Sequence, residues 1–211
     1  MFITLEGIEG SGKTTQLLAI GDFLEKEGID YVTTREPGGT GIGEKIRAIL
    51  LDPENKRMDP LTELLLYFAD RAQHVREFVI PWIAAGKVVL CDRYFDATLV
   101  YQGYARGVDV NLIYQLHRLV LEDLKPDITI LLDLPPEEGL RRAWKQINDG
   151  ERSGHEVRFE KETLAFHEKV RQGYLRLASL EPDRFQIIDA SQNPDRIRDS
   201  IIEIIKDVLR L

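Results

Sequence analysis

Near its start the chain carries Gly7-Ile8-Glu9-Gly10-Ser11-Gly12-Lys13-Thr14, an uninterrupted match to G-x-x-x-x-G-K-[ST]. Gly7, Gly10 and Gly12 let the backbone wrap a phosphate with its N–H groups turned inward, and a following helix adds positive potential at its N-terminus. Lys13 reaches the β- and γ-phosphates of a nucleotide, and the Thr14 hydroxyl is a ligand for Mg²⁺. Ile8, Glu9, Gly10 and Ser11 are the variable positions of the loop around ATP, and none of them is basic. A glycine-rich turn matches such a pattern by chance in some chains. Here an apolar run, Phe2-Ile3-Thr4-Leu5, precedes it, and a helical pattern follows, with Leu17, Ile20 and Leu24 at helical spacing and Gly28 as its stop. The combination implies a site for ATP and Mg²⁺.

A triphosphate site does not say what receives the phosphoryl group. Asp92-Arg93-Tyr94 follows another apolar run, with an acid suited to Mg²⁺ or its water shell and a guanidinium suited to phosphate. The same pair is also the pattern of a structural ion pair at a strand end. Glu36, in Thr34-Arg35-Glu36-Pro37-Gly38-Gly39, reads either as a ligand-facing acid or as part of a polar turn. The glycines from Gly38 to Gly43 do not fit G-x-G-x-x-G, so they read as a loop opening a helix. Phe68 and Arg71, three apart, share a helix face, where a ring could stack on a base and a guanidinium bond its edge. Taken singly, Phe68 reads as core and Arg71 as solvated. Thr98, Tyr101 and Gln102, at i, i+3 and i+4, form one polar side of a short helix, a base and sugar reader or an ordinary surface.

These residues converge only if the chain brings them to one edge of a sheet. Apolar runs at residues 2–5, 30–34, 87–91, 127–132 and 184–188 read as strands. Helical patterns fill 13–27, 41–51, 59–82, 96–104, 111–124, 136–147, 160–180 and 194–209, the third opened by Asp59-Pro60 as N-cap and first-turn proline. The strands lack polar alternation, as expected when helices cover both faces. The alternation predicts an α/β fold, a doubly wound parallel sheet of about five strands with helices on both faces. Ligands in such sheets lie beyond the carboxyl ends of the strands, which is where Gly7, Glu36, Asp92 and Arg93 fall.

The chain, of 211 residues, reads as a single domain over 1–211, and 43% apolar residues suffice for a substantial core. No apolar run approaches a membrane span, and the first residues lack the basic and cleavable segments of a secretion signal. Cys91 is the only cysteine, which excludes an internal disulfide and fits a cytoplasmic location. One thiol and four histidines make a structural zinc site unexpected. A net charge of -8 lacks the basic field of a nucleic-acid binder, so a polyanionic substrate must be held by a concentrated basic pocket.

Taken in order, FITLEGIEGSGKTTQ, TREPGGTGIGEKIR, LLLYFADRAQHV, CDRYFDATLVYQGYARG, RFEKETLAFHEKVRQGYLRLA and IIDAS make the chain resemble the bacterial thymidylate kinases, P-loop nucleoside monophosphate kinases, over essentially its whole length. The resemblance implies transfer of the ATP γ-phosphoryl group to dTMP, a step in dTTP synthesis, with Mg²⁺ as cofactor. It also implies a homodimer through helices within 41–82, residues that read equally well as buried core. By the same resemblance Phe68 stacks on thymine, Arg71 bonds its O4, Arg93 binds the acceptor phosphate, and Thr98 and Gln102 line the base pocket. Tyr101 would lie beneath the deoxyribose, Glu9 near the acceptor 3′-hydroxyl and the metal, and Glu36 close to the acceptor. In relatives whose loop lacks a basic residue, arginines on a mobile lid approach the transferring phosphoryl. The lid falls at about 148–158, with Arg152 the first choice and Arg142 and Arg158 behind it. Many relatives read Asp-Arg where this chain has Val157-Arg158. Adenine is expected near Arg141 or Arg142 and the turn carrying Gln192. A phosphate acceptor is already ionised, so catalysis would rest on alignment and charge stabilisation by Lys13, Mg²⁺, Arg93 and a lid arginine. A deoxynucleoside kinase with Glu36 as base and a nucleotide-gated ATPase switch remain alternative readings of the residues.

Overall fold

The computed structural model describes residues 1–121, 124–150 and 155–211. Five strands, β1 (Phe2–Glu6), β2 (Tyr31–Arg35), β3 (Val88–Asp92), β4 (Ile128–Asp133) and β5 (Phe185–Asp189), lie parallel in the order β2-β3-β1-β4-β5. The central strand pairs Phe2 with Val89 and Leu5 with Asp92 on one side, and Ile3 with Ile128 and Glu6 with Leu131 on the other. Every residue of β1 is buried, whereas β2 and β5, at the edges, expose alternate positions. This is the α/β sheet the apolar runs predict. The connection after β1 leaves toward the β2 edge, whereas those after β3 and β4 leave toward the β5 edge, and this reversal opens a crevice at the carboxyl end of β1, above Glu6.

The helices are α1 (Lys13–Lys26), α2 (Gly41–Leu51), α3 (Pro60–His74), α4 (Ile80–Ala84), α5 (Phe95–Thr98), α6 (Val110–Leu121), α7 (Pro136–Asn148), α8 (Leu164–Leu180) and α9 (Pro194–Leu209). Thr40, Asp59, Thr163 and Asn193 cap their helices by accepting backbone N–H bonds, and Pro60 and Pro194 open theirs. Among the described residues no helix is long and apolar enough to cross a membrane.

Three of the expected helices differ in form. The one expected over 59–82 is α3 and α4 joined by a π-helical turn, Val75–Val79. Pro81 cannot donate a helical hydrogen bond and its ring crowds the preceding turn, so the backbone widens just before it. The one expected over 96–104 is α5 followed by a π-helical stretch, Leu99–Ala105. The one expected from residue 160 begins at Leu164, because Thr163 caps it and residues 158–162 form turns.

Polar ties cross the sheet as well as apolar packing. Arg184 forks onto Asp96 at 2.6 and 2.8 Å and donates to Thr129 Oγ1 at 2.6 Å, fastening the start of α5 to β4 and β5. Beside this tie lies His117, 1% exposed, stacked on Phe95 at 3.8 Å. Neither of its ring nitrogens has a hydrogen-bond partner among the described residues. Burial, helped by the Arg71 charge, pushes its pKa down from 6.5 to about 3. The unfolded chain therefore takes up a proton that the folded ring refuses. His117 contributes fully to stability above pH 6.5, and that contribution drains away as the pH falls toward about 3. Urea unfolding of wild type and His117→Phe across this range should show the wild type losing ground steadily to the variant on acidification; parallel curves would contradict the buried neutral ring.

Candidate active site

The loop between β1 and α1 folds with Gly7, Gly10 and Gly12 at φ 139°, 70° and 95°, conformations that favour glycine. Two glycines also let α7 press on it. A Cβ on Gly10 would stand 2.1 Å from the Gly139 carbonyl, and one on Gly139 would stand 2.5 Å from the Glu9 carbonyl. Lys13 Nζ donates to the Gly7 and Ile8 carbonyls at 2.9 and 2.8 Å and lies 3.4 Å from Ser11 Oγ. Burial, with Arg93 nearby, pushes the Lys13 pKa down to about 8. Thr14 Oγ1 donates to Asp92 Oδ2 at 3.4 Å, and Asp92 Oδ1 is buried without a hydrogen-bond partner among the described residues. A hydroxyl and a carboxylate with an unused oxygen, side by side at a phosphate loop, fit Mg²⁺, which takes few protein oxygens and completes its shell with phosphate and water.

On the far side of Glu9 is a cavity open to solvent, with about 540 Å³ of free space when its mouth is included. Glu9, Glu36, Arg71, Arg93, Thr98, Tyr101 and Gln102 all line it, so residues from four separate segments meet there as expected. Arg71 is 1% exposed. Its Nε donates to Glu36 Oε2 at 2.7 Å, and its Nη2 donates to the Tyr94 carbonyl at 3.2 Å and Thr98 Oγ1 at 2.9 Å. Its Nη1 is buried with no hydrogen-bond partner among the described residues. Glu36 also bonds His74 Nδ1 at 2.7 Å through its other oxygen. Burial opposes the Glu36 charge, yet Arg71 and His74 outweigh it and hold the carboxyl below the usual range.

Arg93 sits at φ 66°, a left-handed conformation uncommon outside glycine and frequent at functional sites. The turn is fixed by Glu6, whose Oε1 accepts the Tyr94 N–H at 2.7 Å and whose Oε2 accepts the Tyr174 hydroxyl at 2.7 Å. Arg93 Nη2 then reaches Glu9 Oε1 at 2.9 Å and Tyr101 Oη at 3.3 Å, and the Tyr101 hydroxyl donates to the same Glu9 oxygen at 2.7 Å. His167 Nδ1 stands 3.3 Å from Glu9 Oε2. Against the cost of burial, His167, Arg93 and Lys13 hold Glu9 well below the usual carboxylate range. Glu9 therefore lies between the phosphate loop and the second cavity, lining both.

Some of the expected site residues lie away from the cavity or outside the described residues. Phe68 is 3% exposed, packs edge-on against Phe95 at 6.5 Å, and is not among the residues lining the cavity. Its neighbour Tyr67 lines it instead. Both positions neighbour Arg71 on a helix, at i, i+3 and i, i+4, and spacing alone could not choose between them. Of the expected lid, Arg152 lies outside the described residues. Arg158 is 7% exposed and donates to the Leu50 carbonyl and to Glu63, at 2.6 Å for the latter, so burial removes it from any mobile segment. Arg142, bonded to Glu138 and the Ala190 carbonyl, lines a groove with Gly10, Thr15 and Pro194 on the side expected for adenine; Gln192 is exposed and outside that lining.

The sequence reading also passed over Arg47, which lines both cavities and pairs with Glu156 at 2.7 Å, and Phe159 and Glu160, which line the second. Glu63 was missed too; its lone charge in an apolar run of α3 was the available signal.

A family model for thymidylate kinase matches residues 5–201. The thymidylate kinase of Desulfosudis oleivorans is 60% identical over 90% of this chain and 89% of its own length. That of Desulforapulum autotrophicum is 58% identical over 96% and 89%. The crystal structure of thymidylate kinase from Ehrlichia chaffeensis superposes with a TM-score of 0.76 at 34% identity, covering 97% of this chain and 98% of that one. A phosphate loop sharing one acid with a second cavity, and these similarities along nearly the full length, together place the chain in the thymidylate kinase family.

Proposed function

We propose that this chain transfers the γ-phosphoryl group of ATP to dTMP, giving dTDP and ADP, with Mg²⁺ held by Thr14 and Asp92. The observation that carries this reading is Arg71 Nη1, a buried guanidinium nitrogen on the wall of the second cavity with no hydrogen-bond partner among the described residues. An unsatisfied buried donor is costly, and the 4-carbonyl of a pyrimidine is an acceptor that would complete it. Tyr67 offers the ring face for that base. Tyr101, its hydroxyl tied to Glu9, is positioned to floor the sugar.

At the phosphate end, Arg93 is the guanidinium that can bind the acceptor phosphate while Glu9 holds it in place. Lys13 can turn from the Gly7 and Ile8 carbonyls to phosphate oxygens. Bound Mg²⁺ would neutralise phosphate charge. The residues around the transfer hold and align two anions, and a phosphate acceptor needs no strong base. Arg152 remains our choice for further charge at the transferring group. Ile42 and Ile49 on α2 and Leu61 and Leu65 on α3 are exposed on two helices that pack together, which supports a homodimer through this face. A cytoplasmic location fits the buried free thiol of Cys91.

Four outcomes test the reading. In a coupled ADP assay over nucleoside monophosphates, dTMP should support turnover and thymidine should not; turnover with thymidine would mean a nucleoside kinase, and ADP release independent of any acceptor would mean an ATPase. Tyr67→Ala should raise the KM for dTMP about 5- to 100-fold, the worth of base stacking, with little change for ATP. Phe68→Leu should instead cost about 1–2 kcal/mol of stability and leave that KM near wild type. Finally, binding of a non-hydrolysable ATP analogue should be strongest below the Lys13 pKa of about 8 and weaken as the pH rises through it, up to tenfold per unit, because only the ammonium pairs with phosphate. Titration calorimetry showing constant affinity to pH 9.5 would contradict it.

A further inference from the structure

Gln102 lines the acceptor cavity, and behind it stands Glu63, 1% exposed and outside the cavity lining. Gln102 Nε2 donates to Glu63 Oε1 at 2.8 Å. Two guanidinium groups share the same carboxylate. Arg158 Nη2 donates to Oε2 at 2.6 Å, and Arg106 Nε lies 3.3 Å from Oε1. A carboxylate clamped by two cations is an acceptor at both oxygens.

An amide side chain is symmetric in shape but not in hydrogen bonding, and its orientation is set by its neighbours. Here one orientation is excluded. A flipped Gln102 would set its carbonyl oxygen against Glu63 Oε1, acceptor on acceptor, in a buried site where such a mismatch is costly. The amide nitrogen is therefore committed to Glu63, and the carbonyl oxygen is what Gln102 has to offer the cavity.

We infer that Glu63 is a specificity-determining positioning residue: by locking the Gln102 amide it makes the cavity present an acceptor beside the Arg71 donor. This rests on reading the cavity as the dTMP site. A donor next to an acceptor matches a pyrimidine-2,4-dione, with its 4-carbonyl and its N3–H. Cytosine carries the opposite pattern, a 4-amino donor and an unprotonated N3, and meets donor on donor and acceptor on acceptor. Rejection of that kind exceeds what apolar shape can provide, because both polar groups are left unpaired. Arg158 and Arg106 act through the same carboxylate by holding it in place.

The experiment compares kcat/KM for dTMP and dCMP, at saturating ATP, in wild type, Glu63→Gln, Glu63→Asp, Gln102→Leu and the double variant Glu63→Gln/Gln102→Leu. Glu63→Gln lets the Gln102 amide take either orientation. Glu63→Asp keeps the charge for the two arginines but withdraws it from Gln102, and so serves if the first variant does not fold. The expected result is a fall of about tenfold or more in the dTMP:dCMP ratio for either Glu63 variant, and no further change when Glu63→Gln is added to Gln102→Leu. Equal losses on both substrates, with the ratio preserved, would show a structural role only and overturn the inference. A ratio that still shifts in the Gln102→Leu background would overturn it too, since Glu63 would then act by another route. Wild-type enzyme inactive on dTMP would instead refute the proposed function, a distinct outcome.

Discussion

Guanidinium groups around the second cavity are matched to buried carboxylates, and this pairing governs the rest of the site. Arg71 has Glu36, Arg93 has Glu9, and Arg158 has Glu63, with contacts of 2.7, 2.9 and 2.6 Å. Removing one of these carboxylates would leave its arginine without its main counter-charge, a loss of about 3–5 kcal/mol where the guanidinium is buried. Each pair also spans segments far apart in sequence: β2's exit to α3, the phosphate loop to β3's exit, and α3 to the turn before α8. The pairs therefore fix the cavity walls relative to one another while keeping some guanidinium nitrogens for a ligand.

The same pairing explains how a chain of net charge -8 can hold polyanions. The acids behind the arginines neutralise them at long range. Close to the cavity, individual N–H groups still point at whatever occupies it. Such a site attracts little from a distance but binds strongly at contact, which suits recognition of two small anions better than tracking along a nucleic acid backbone. Glu9 is the extreme case. It lies inside the phosphate loop, its charge held by Arg93, Lys13 and His167, and it couples the loop to the second cavity through Tyr101.

The sheet and its helices were legible because apolar runs and helical periodicity are local signals, and the phosphate loop because its glycines act through their own backbone. Arg71, Arg93, Thr98, Tyr101 and Gln102 were legible by resemblance, and the cavity does collect them. What was hidden depended on facing. Tyr67 and Phe68 are adjacent, and α-helical geometry admits either beside Arg71; packing against Phe95 decides which one is buried. Arg158 looked like a lid residue because charge in a glycine-bearing segment suggests exposure. Its true partner, Glu63, lies 95 positions away and leaves no trace in the local sequence.

The two π-helical stretches turn side chains away from their α-helical positions. A widened turn carries more residues per revolution than 3.6, so every later side chain rotates relative to an α-helical projection. Leu99–Ala105 contains Tyr101 and Gln102, which point to Glu9 and Glu63, two carboxylates on different elements. The adjacent side chains therefore serve opposite ends of the cavity, one toward the phosphate loop and one toward α3. An α-helix would place consecutive residues about 100° apart; a wider turn narrows that angle and lets both line one wall. Val75–Val79 follows His74, so α3 stays α-helical through Tyr67, Arg71 and His74, and the widening required by Pro81 is confined to the stretch beyond them. One departure from α-helical geometry thus builds the cavity wall, and the other keeps a proline from disturbing it.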